Sequence, residues 1–305
     1  MNLKCNTRRS FLGRSATAAA VLALTPFEKL APRHRAQTAP RTNGLRLPPA
    51  YSGGMLVAES KTLEIWPGFQ TRVFAINGAV PGPTIRLMRG ANSSAHVMNM
   101  LAEPLVLHWH GIIAPASMDG HPRSAVPAGG SYRINFPVNQ RAGTYWYHAH
   151  TDSLTAKQAY LGLAGAFIVE DEIETALGLP RGDHYIPLII ADKRPEAARQ
   201  LPYAPTPMES MTGFLGTVIL VNGTPESALS VDKGLYRFRL INASNARVLK
   251  VGLSDGKPRK EWNWTFSGSR WTALRRTRSQ SRQLWHRLSH TTRCKQNAPA
   301  HSHSG

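Results

Sequence analysis

The chain has 305 residues, 42% of them hydrophobic, and a formal net charge of +19 at pH 7. That length is enough for two domains with real cores. The charge would suggest a nucleic-acid or anionic-membrane partner if it were spread evenly, but it is not. Residues 1–44 carry eight Lys/Arg against one acid and residues 259–305 carry ten against one, whereas 45–258 hold nineteen against sixteen. The basicity belongs to the two ends, and no nucleic-acid partner is expected for the folded part.

Residues 1–44 read as an export signal and linker. Thr7-Arg8-Arg9-Ser10-Phe11-Leu12-Gly13 matches the twin-arginine pattern and precedes a short, Ala-rich run from Ser15 to Leu24. A permanent span needs ~20 apolar residues, so stable membrane insertion is not expected. The expected partner of this segment is the twin-arginine export machinery, and the expected location is periplasmic or extracellular. Cys5 and Cys294 both lie outside 45–258, so that part of the chain must rely on its apolar core and not on a disulfide.

Residues 45–175 read as short strands broken by turns. Thr71 to Ile76 and Ser131 to Phe136 alternate, while Leu105 to Trp109 and Leu161 to Val169 are short apolar runs. Asn77-Gly78, Pro81-Gly82-Pro83 and Pro127-Ala128-Gly129-Gly130 supply turns. The pattern suits an all-β Greek-key sandwich or barrel. Glu172 to Leu179 fits a helical turn or two before Pro180, as a connection.

Two His-x-His pairs stand in this region, His108-Trp109-His110 and His148-Ala149-His150. In an extended strand residues i and i+2 point to one face about 6.6 Å apart, so each pair offers two imidazoles to one side. Neighbouring strands lie about 4.8 Å apart, so pairing them would gather four imidazoles in one pocket. Such a set suits copper, zinc, iron or nickel and disfavours Mg²⁺ and Ca²⁺.

A second β unit is expected over 183–258, with strands at Tyr185 to Ala191, Thr217 to Val221 and Leu235 to Ile241, and Asn222-Gly223 as a turn. Arg237 and Arg239 alternate there with Phe238 and Leu240, the pattern of a half-buried strand and not of a basic stripe. From 259 to 305 the character changes: four of the chain's seven Trp, many Arg and Ser, and neither strand alternation nor heptads. The segment reads as an aberrant, disordered basic tail of the kind an out-of-frame reading gives, the alternative being a genuine basic tail that folds or binds something acidic.

The motifs carry a resemblance over roughly Leu45 to Pro258. Pro81-Gly82-Pro83-Thr84-Ile85-Arg86, Leu107-His108-Trp109-His110-Gly111, Gly143-Thr144-Tyr145-Trp146-Tyr147-His148-Ala149-His150, Gly162-Leu163-Ala164-Gly165, Val221-Asn222-Gly223 and Tyr236 to Arg247 resemble the first part of a multicopper oxidase. The likeness is greatest to the bacterial periplasmic cuprous-oxidase, bilirubin-oxidase and laccase-like branch. It implies tandem cupredoxin-like Greek-key β-barrels, one complete (45–175) and one partial (183–258), with copper as cofactor. It further implies one-electron oxidation of a small reducing substrate, such as cuprous ion, phenols or bilirubin-like compounds, coupled to reduction of dioxygen to water.

In that family eight histidines hold a trinuclear cluster. The resemblance makes His108 a type 2 copper ligand, His110, His148 and His150 ligands of the type 3 pair, and Asp119 the acid that passes protons. By its own sequence Asp119-Gly120 is an Asp-Gly turn. The family's type 1 motifs have no counterpart: Cys294 lies between Arg293 and Lys295, and His301-Ser302-His303 stands alone. The chain is therefore expected to be truncated or frameshifted after Pro258 and inactive by itself. A redox-inert copper-binding or scaffold protein is the alternative; a zinc hydrolase, which would want a carboxylate beside the imidazoles, is a third.

Overall fold

The computed structural model describes residues 43–249 and 251, together with the backbone of 270–274. The segment expected to be an export signal, both cysteines, His301, His303 and the rest of the 259–305 tail lie outside the described residues. In chain order the elements are β1 (Asn43–Gly44), β2 (Met55–Trp66), β3 (Phe69–Ile76), β4 (Gly82–Met88), β5 (Asn92–Met100), β6 (Leu107–His110), β7 (Ser131–Pro137) and β8 (Gly143–Ala149). Then come α1 (Thr155–Leu161), β9 (Ala164–Glu170), α2 (Glu172–Ala176), β10 (Tyr185–Lys193), α3 (Pro207–Thr212), β11 (Val218–Val221), β12 (Thr224–Pro225), β13 (Ser227–Ala228), β14 (Arg237–Asn242) and β15 (Arg270–Leu274).

Two four-stranded sheets, ordered β3-β2-β5-β7 and β4-β9-β8-β6, make up the first part. Alternation in the strands decides what lies between them. Leu56, Val97, Ile134 and Phe136 from one sheet meet Leu107, Trp109, Tyr147 and Phe167 from the other, all at most 1% exposed. Fully burying one such side chain contributes about 1.5–3 kcal/mol, so this shared core is what fixes the two sheets. Tyr147 and Gly165 are cross-strand partners on β8 and β9, and a Cβ at Gly165 would lie 2.3 Å from the tyrosine ring. Glycine at that position lets the ring lie flat over the neighbouring strand, where its hydroxyl donates to the Pro83 carbonyl at 2.7 Å.

The second part is a five-stranded sheet, β12-β11-β10-β14-β15, in which β10 and β14 are parallel and the other pairs antiparallel. Asn77-Gly78 and Asn222-Gly223 turn as their sequence suggests, with positive φ at both residues of each pair. Asn77 also ties its turn to β2: its side chain accepts from the Val57 N–H and donates to the Met55 carbonyl.

Two expectations are corrected. The Leu161–Val169 run is not one strand, since α1 ends at Leu161 and β9 begins only at Ala164. The Gly162 N–H bonds back to the Gln158 and Ala159 carbonyls, so the helix closes before the strand starts. In β14, Arg237 and Arg239 do not face water: they are 3% and 2% exposed, and both donate to the Glu174 carboxylate of α2. Arg239 also donates to Tyr185 and Thr144. A buried guanidinium is tolerable only with such a set of acceptors.

Candidate metal centre

The antiparallel register of β6 and β8 places His108 opposite His148, with Trp109 opposite Tyr147 and His110 opposite Trp146. Period-2 alternation then separates the roles. Trp109, Tyr147 and Ala149 enter the core at 0% exposure, while His108, His110, His148 and His150 share the other face. The ring centroids of His108 lie 5.7, 5.6 and 5.0 Å from those of His110, His148 and His150. One ligating nitrogen from each of His108, His110 and His148 falls within 4.8 Å of the others. His150 lies beside this trio, 5.9 Å from His148 by ring centroid, and is not part of it.

Backbone carbonyls set the imidazole tautomers. His108 Nδ1 lies 2.6 Å from the Asp119 carbonyl, His148 Nδ1 2.8 Å from that of Ala149, and His150 Nδ1 3.2 Å from that of Gly120. A carbonyl can only accept, so each of these Nδ1 atoms carries the proton and each Nε2 keeps its lone pair for a metal. His110 enters the other way round, its Nδ1 3.3 Å from His148 Nε2.

Burial pushes His148 down to about 4, with the three neighbouring imidazoles adding to the effect, so the ring is neutral at pH 7. Three pre-oriented imidazoles form a donor set that fits copper. Trp146 packs against this set with its ring tilted, its centroid 4.3 Å from that of His148 and 5.3 Å from that of His110.

Met118-Asp119-Gly120 is the element that sequence reasoning under-read. Its three successive carbonyls accept from Trp109 Nε1, His108 Nδ1 and His150 Nδ1. Gly120 sits at φ +78°, and a Cβ there would lie 2.0 Å from the Leu107 carbonyl oxygen. The loop can therefore press against β6 only with glycine at this position. The Asp119 carboxylate is nearby, Oδ1 being 3.4 Å from His108 Nδ1. It is the main chain of Asp119, not its side chain, that makes the short contact. The Asp-Gly signal could have located a turn but not its target.

The histidines open into a cleft of about 630 Å³, walled on the far side by Thr155 and Ala156 of α1 and by Ser244, Asn245 and Leu249 after β14. All donors of the trio are imidazoles; no carboxylate joins them among the described residues.

The multicopper oxidase family model matches residues 58–174. Those residues include the whole of β6, β8 and the Met118–Gly120 loop. Residues 58–174 belong to the multicopper oxidase family. The likeness extends past the matched segment. Multicopper oxidase mco of Staphylococcus aureus is 35% identical over 207 residues, 68% of this chain and 46% of that protein. Cell division protein FtsP of Photorhabdus laumondii is 37% identical over 192 residues, 62% of this chain and 40% of its own length. Among solved structures, McoA multicopper oxidase of Aquifex aeolicus superposes with TM-score 0.62 at 39% identity, covering 68% of this chain and 47% of its own. The bacterial laccase-like multi-copper oxidase CueO of Ochrobactrum sp. gives TM-score 0.61 at 33% identity, covering 67% and 47%. This chain thus spans less than half the length of these relatives. Its mostly β fold is the one expected of cupredoxin-like domains in multicopper oxidases.

Proposed function

We propose that this chain carries one half of the copper site of a multicopper oxidase-type oxidoreductase. His108, His110, His148 and His150 are the copper ligands it contributes, and its folded parts are cupredoxin-like Greek-key barrels in tandem, over 45–175 and 183–258. The observation that carries this reading is the β6/β8 register, which sets His108 against His148 and leaves Nε2 lone pairs facing one cleft.

When bound, copper supplies one-electron transfer and reduction of dioxygen, with cuprous ion, phenols or bilirubin-like compounds as the class of reductant. The chain's own residues do the positioning: carbonyls 119, 120 and 149 hold the imidazole planes, and Trp146 covers one side of them. By the family resemblance Asp119 is the acid that passes protons, its carboxylate lying 3.4 Å from His108 Nδ1. Export by the twin-arginine route to the periplasm accords with this role.

Four imidazoles are half of the family's cluster set, and the described residues hold no Cys for a type 1 centre. The 305-residue chain is therefore expected to bind copper through these histidines, to release it readily to a chelator, and to consume no dioxygen. Copper stoichiometry and oxygen-electrode traces test this, with His108→Ala/His148→Ala abolishing most binding and His301→Ala/His303→Ala changing little. Copper binding that ignores the first double variant removes the site; a blue, turning-over protein removes the assignment of inactivity.

A second reading has a specific observation behind it, since several relatives at 36–39% identity are named cell division protein FtsP. A redox-inert scaffold would show no copper retention at all in the same titration. A zinc hydrolase would want a carboxylate ligand or base with the imidazoles, and no carboxylate joins the trio among the described residues.

A further inference from the structure

Helix α1 walls two clefts. Thr155, Ala156 and Ala159 line the one that holds the histidines, whereas Lys157 and Leu161 line a second, of about 590 Å³. Positions four apart share a helix face, so 155 and 159 turn one way and 157 and 161 another. The two clefts have no lining residue in common. The second lies where β3 and α1 meet the segment after β10, and it is large enough for a small organic molecule.

Its polar groups converge on one ring. Arg72 and Phe74 are two apart on β3, so they share a face about 6.6 Å apart at Cα. From the helix side, Lys157 Nζ lies 5.8 Å from the centroid of the half-buried Phe74 ring. Two cations therefore bracket one aromatic side chain. Both have hydrogen-bond donors left over. Lys157 donates to one oxygen of Glu103 while Gln158 donates to the other at 3.0 Å, which saturates that acid and leaves the ammonium two N–H groups. The Arg72 guanidinium has no hydrogen-bond or ion-pair partner among the described residues, although its backbone N–H donates to the Gln200 side chain at 3.1 Å. Glu196, the other acid of the lining, is exposed at the rim, where water and salt screen it.

The wall facing β3 is held in a conformation that the chain avoids without a reason. Ala198 and Arg199 stand at φ +52° and +57°, and neither is glycine. Thr71 Oγ1 donates to the Arg199 carbonyl at 3.0 Å, and Gln200 donates to the Gln70 carbonyl at 2.8 Å. Strain of this kind persists where the surroundings over-determine it, and ligand clamps are among the places where it gathers. We infer that this cleft binds a small aryl carboxylate, with its ring against Phe74 and Leu161 and its carboxylate shared by Lys157 and Arg72. Charge-assisted bonds to both cations orient such a ligand. A neutral aromatic leaves the two cations unanswered, and an aryl ammonium meets them as like charges.

Benzoate is the probe, titrated into the full chain by calorimetry with benzyl alcohol and benzylamine as comparators. Benzoate should bind with Kd in the millimolar range or tighter, benzyl alcohol more weakly and benzylamine not at all. Arg72→Gln, at an exposed side chain without a partner, should weaken benzoate at least about fivefold, and Lys157→Gln should do the same. His108→Ala/His148→Ala should leave benzoate binding unchanged, so failure of the copper reading and failure of this one are told apart. Absence of benzoate binding would overturn the proposal, as would benzylamine binding equally well or indifference to Arg72→Gln. Should Lys157→Gln fail to fold, nuclear Overhauser contacts in the unsubstituted chain decide: benzoate ring protons should touch the Leu161 methyls, and contacts confined to other methyls would place the ligand elsewhere.

Discussion

Asp119 and Gly120 illustrate how a residue can serve a site through its main chain. The carbonyls of Met118, Asp119 and Gly120 hold Trp109, His108 and His150, so side-chain identity matters at Gly120 for a steric reason and at Asp119 for an electrostatic one. Gly120→Ala should cost more than about 1–3 kcal/mol, the usual penalty of a non-glycine residue held at positive φ, because the added Cβ also meets the Leu107 carbonyl. Denaturant unfolding measures the loss, and copper affinity should fall with it. Asp119→Ala keeps the carbonyl and should change copper affinity by under about 1 kcal/mol, since the partly exposed carboxylate makes only a 3.4 Å contact.

His148 adds a pH dependence at the same scale. Its pKa is about 4 in the folded chain, whereas the unfolded value is about 6.5. Between those values the unfolded state binds a proton that the folded state does not. Stability is full above about pH 6.5 and declines as pH falls toward 4, by up to about 3 kcal/mol. Urea unfolding of chelator-treated protein from pH 7 to 4 should show this slope, and His148→Gln should flatten it by about one proton.

At the scale of elements, the site was legible where it obeys the period of a strand. His-x-His on two strands needs only alternation and one register to converge, and the β6/β8 pairing supplies that register. The Asn-Gly turns were legible for a similar reason, because positive φ at two successive residues has few sequence solutions. Long-range partners were not. Arg237 and Arg239 look like solvent-facing charges until α2 brings Glu174 between them, 63 and 65 residues away in sequence. Likewise, the strand expected from Leu161 loses its first residues to α1 because the helix closes on the Gly162 N–H.

That buried cluster predicts a large effect from a small change. Glu174→Gln leaves two guanidiniums, each under 5% exposed, without their counter-charge, and should destabilise the fold by about 3–5 kcal/mol. A surface carboxylate such as Glu59, 3.8 Å from Lys61 with both side chains well exposed, should cost under about 1 kcal/mol when changed the same way. Similar losses at both positions would mean that the α2–β14 contact does not close in solution.

For the whole molecule, the copper site and the fold should be thermodynamically linked. The imidazoles converge only when β6 and β8 are paired and the Met118–Gly120 loop is seated, so the unfolded chain offers no comparable site. A ligand that binds only the folded state raises its stability by about 2.7 kcal/mol at a free concentration 100 times Kd. Copper should therefore raise the unfolding midpoint of the full chain, with the increase growing as the logarithm of copper concentration. The increase should shrink on acidification, because a protonated imidazole cannot bind the metal. It should vanish in His108→Ala/His148→Ala and be small in Gly120→Ala, whose imidazoles lose their carbonyl anchors. Calorimetry across copper concentrations at pH 7.5 and 5.5 makes the comparison. An equal shift in the histidine variant would place copper elsewhere on the molecule, and a shift that grew on acidification would mean that imidazole is not the ligand.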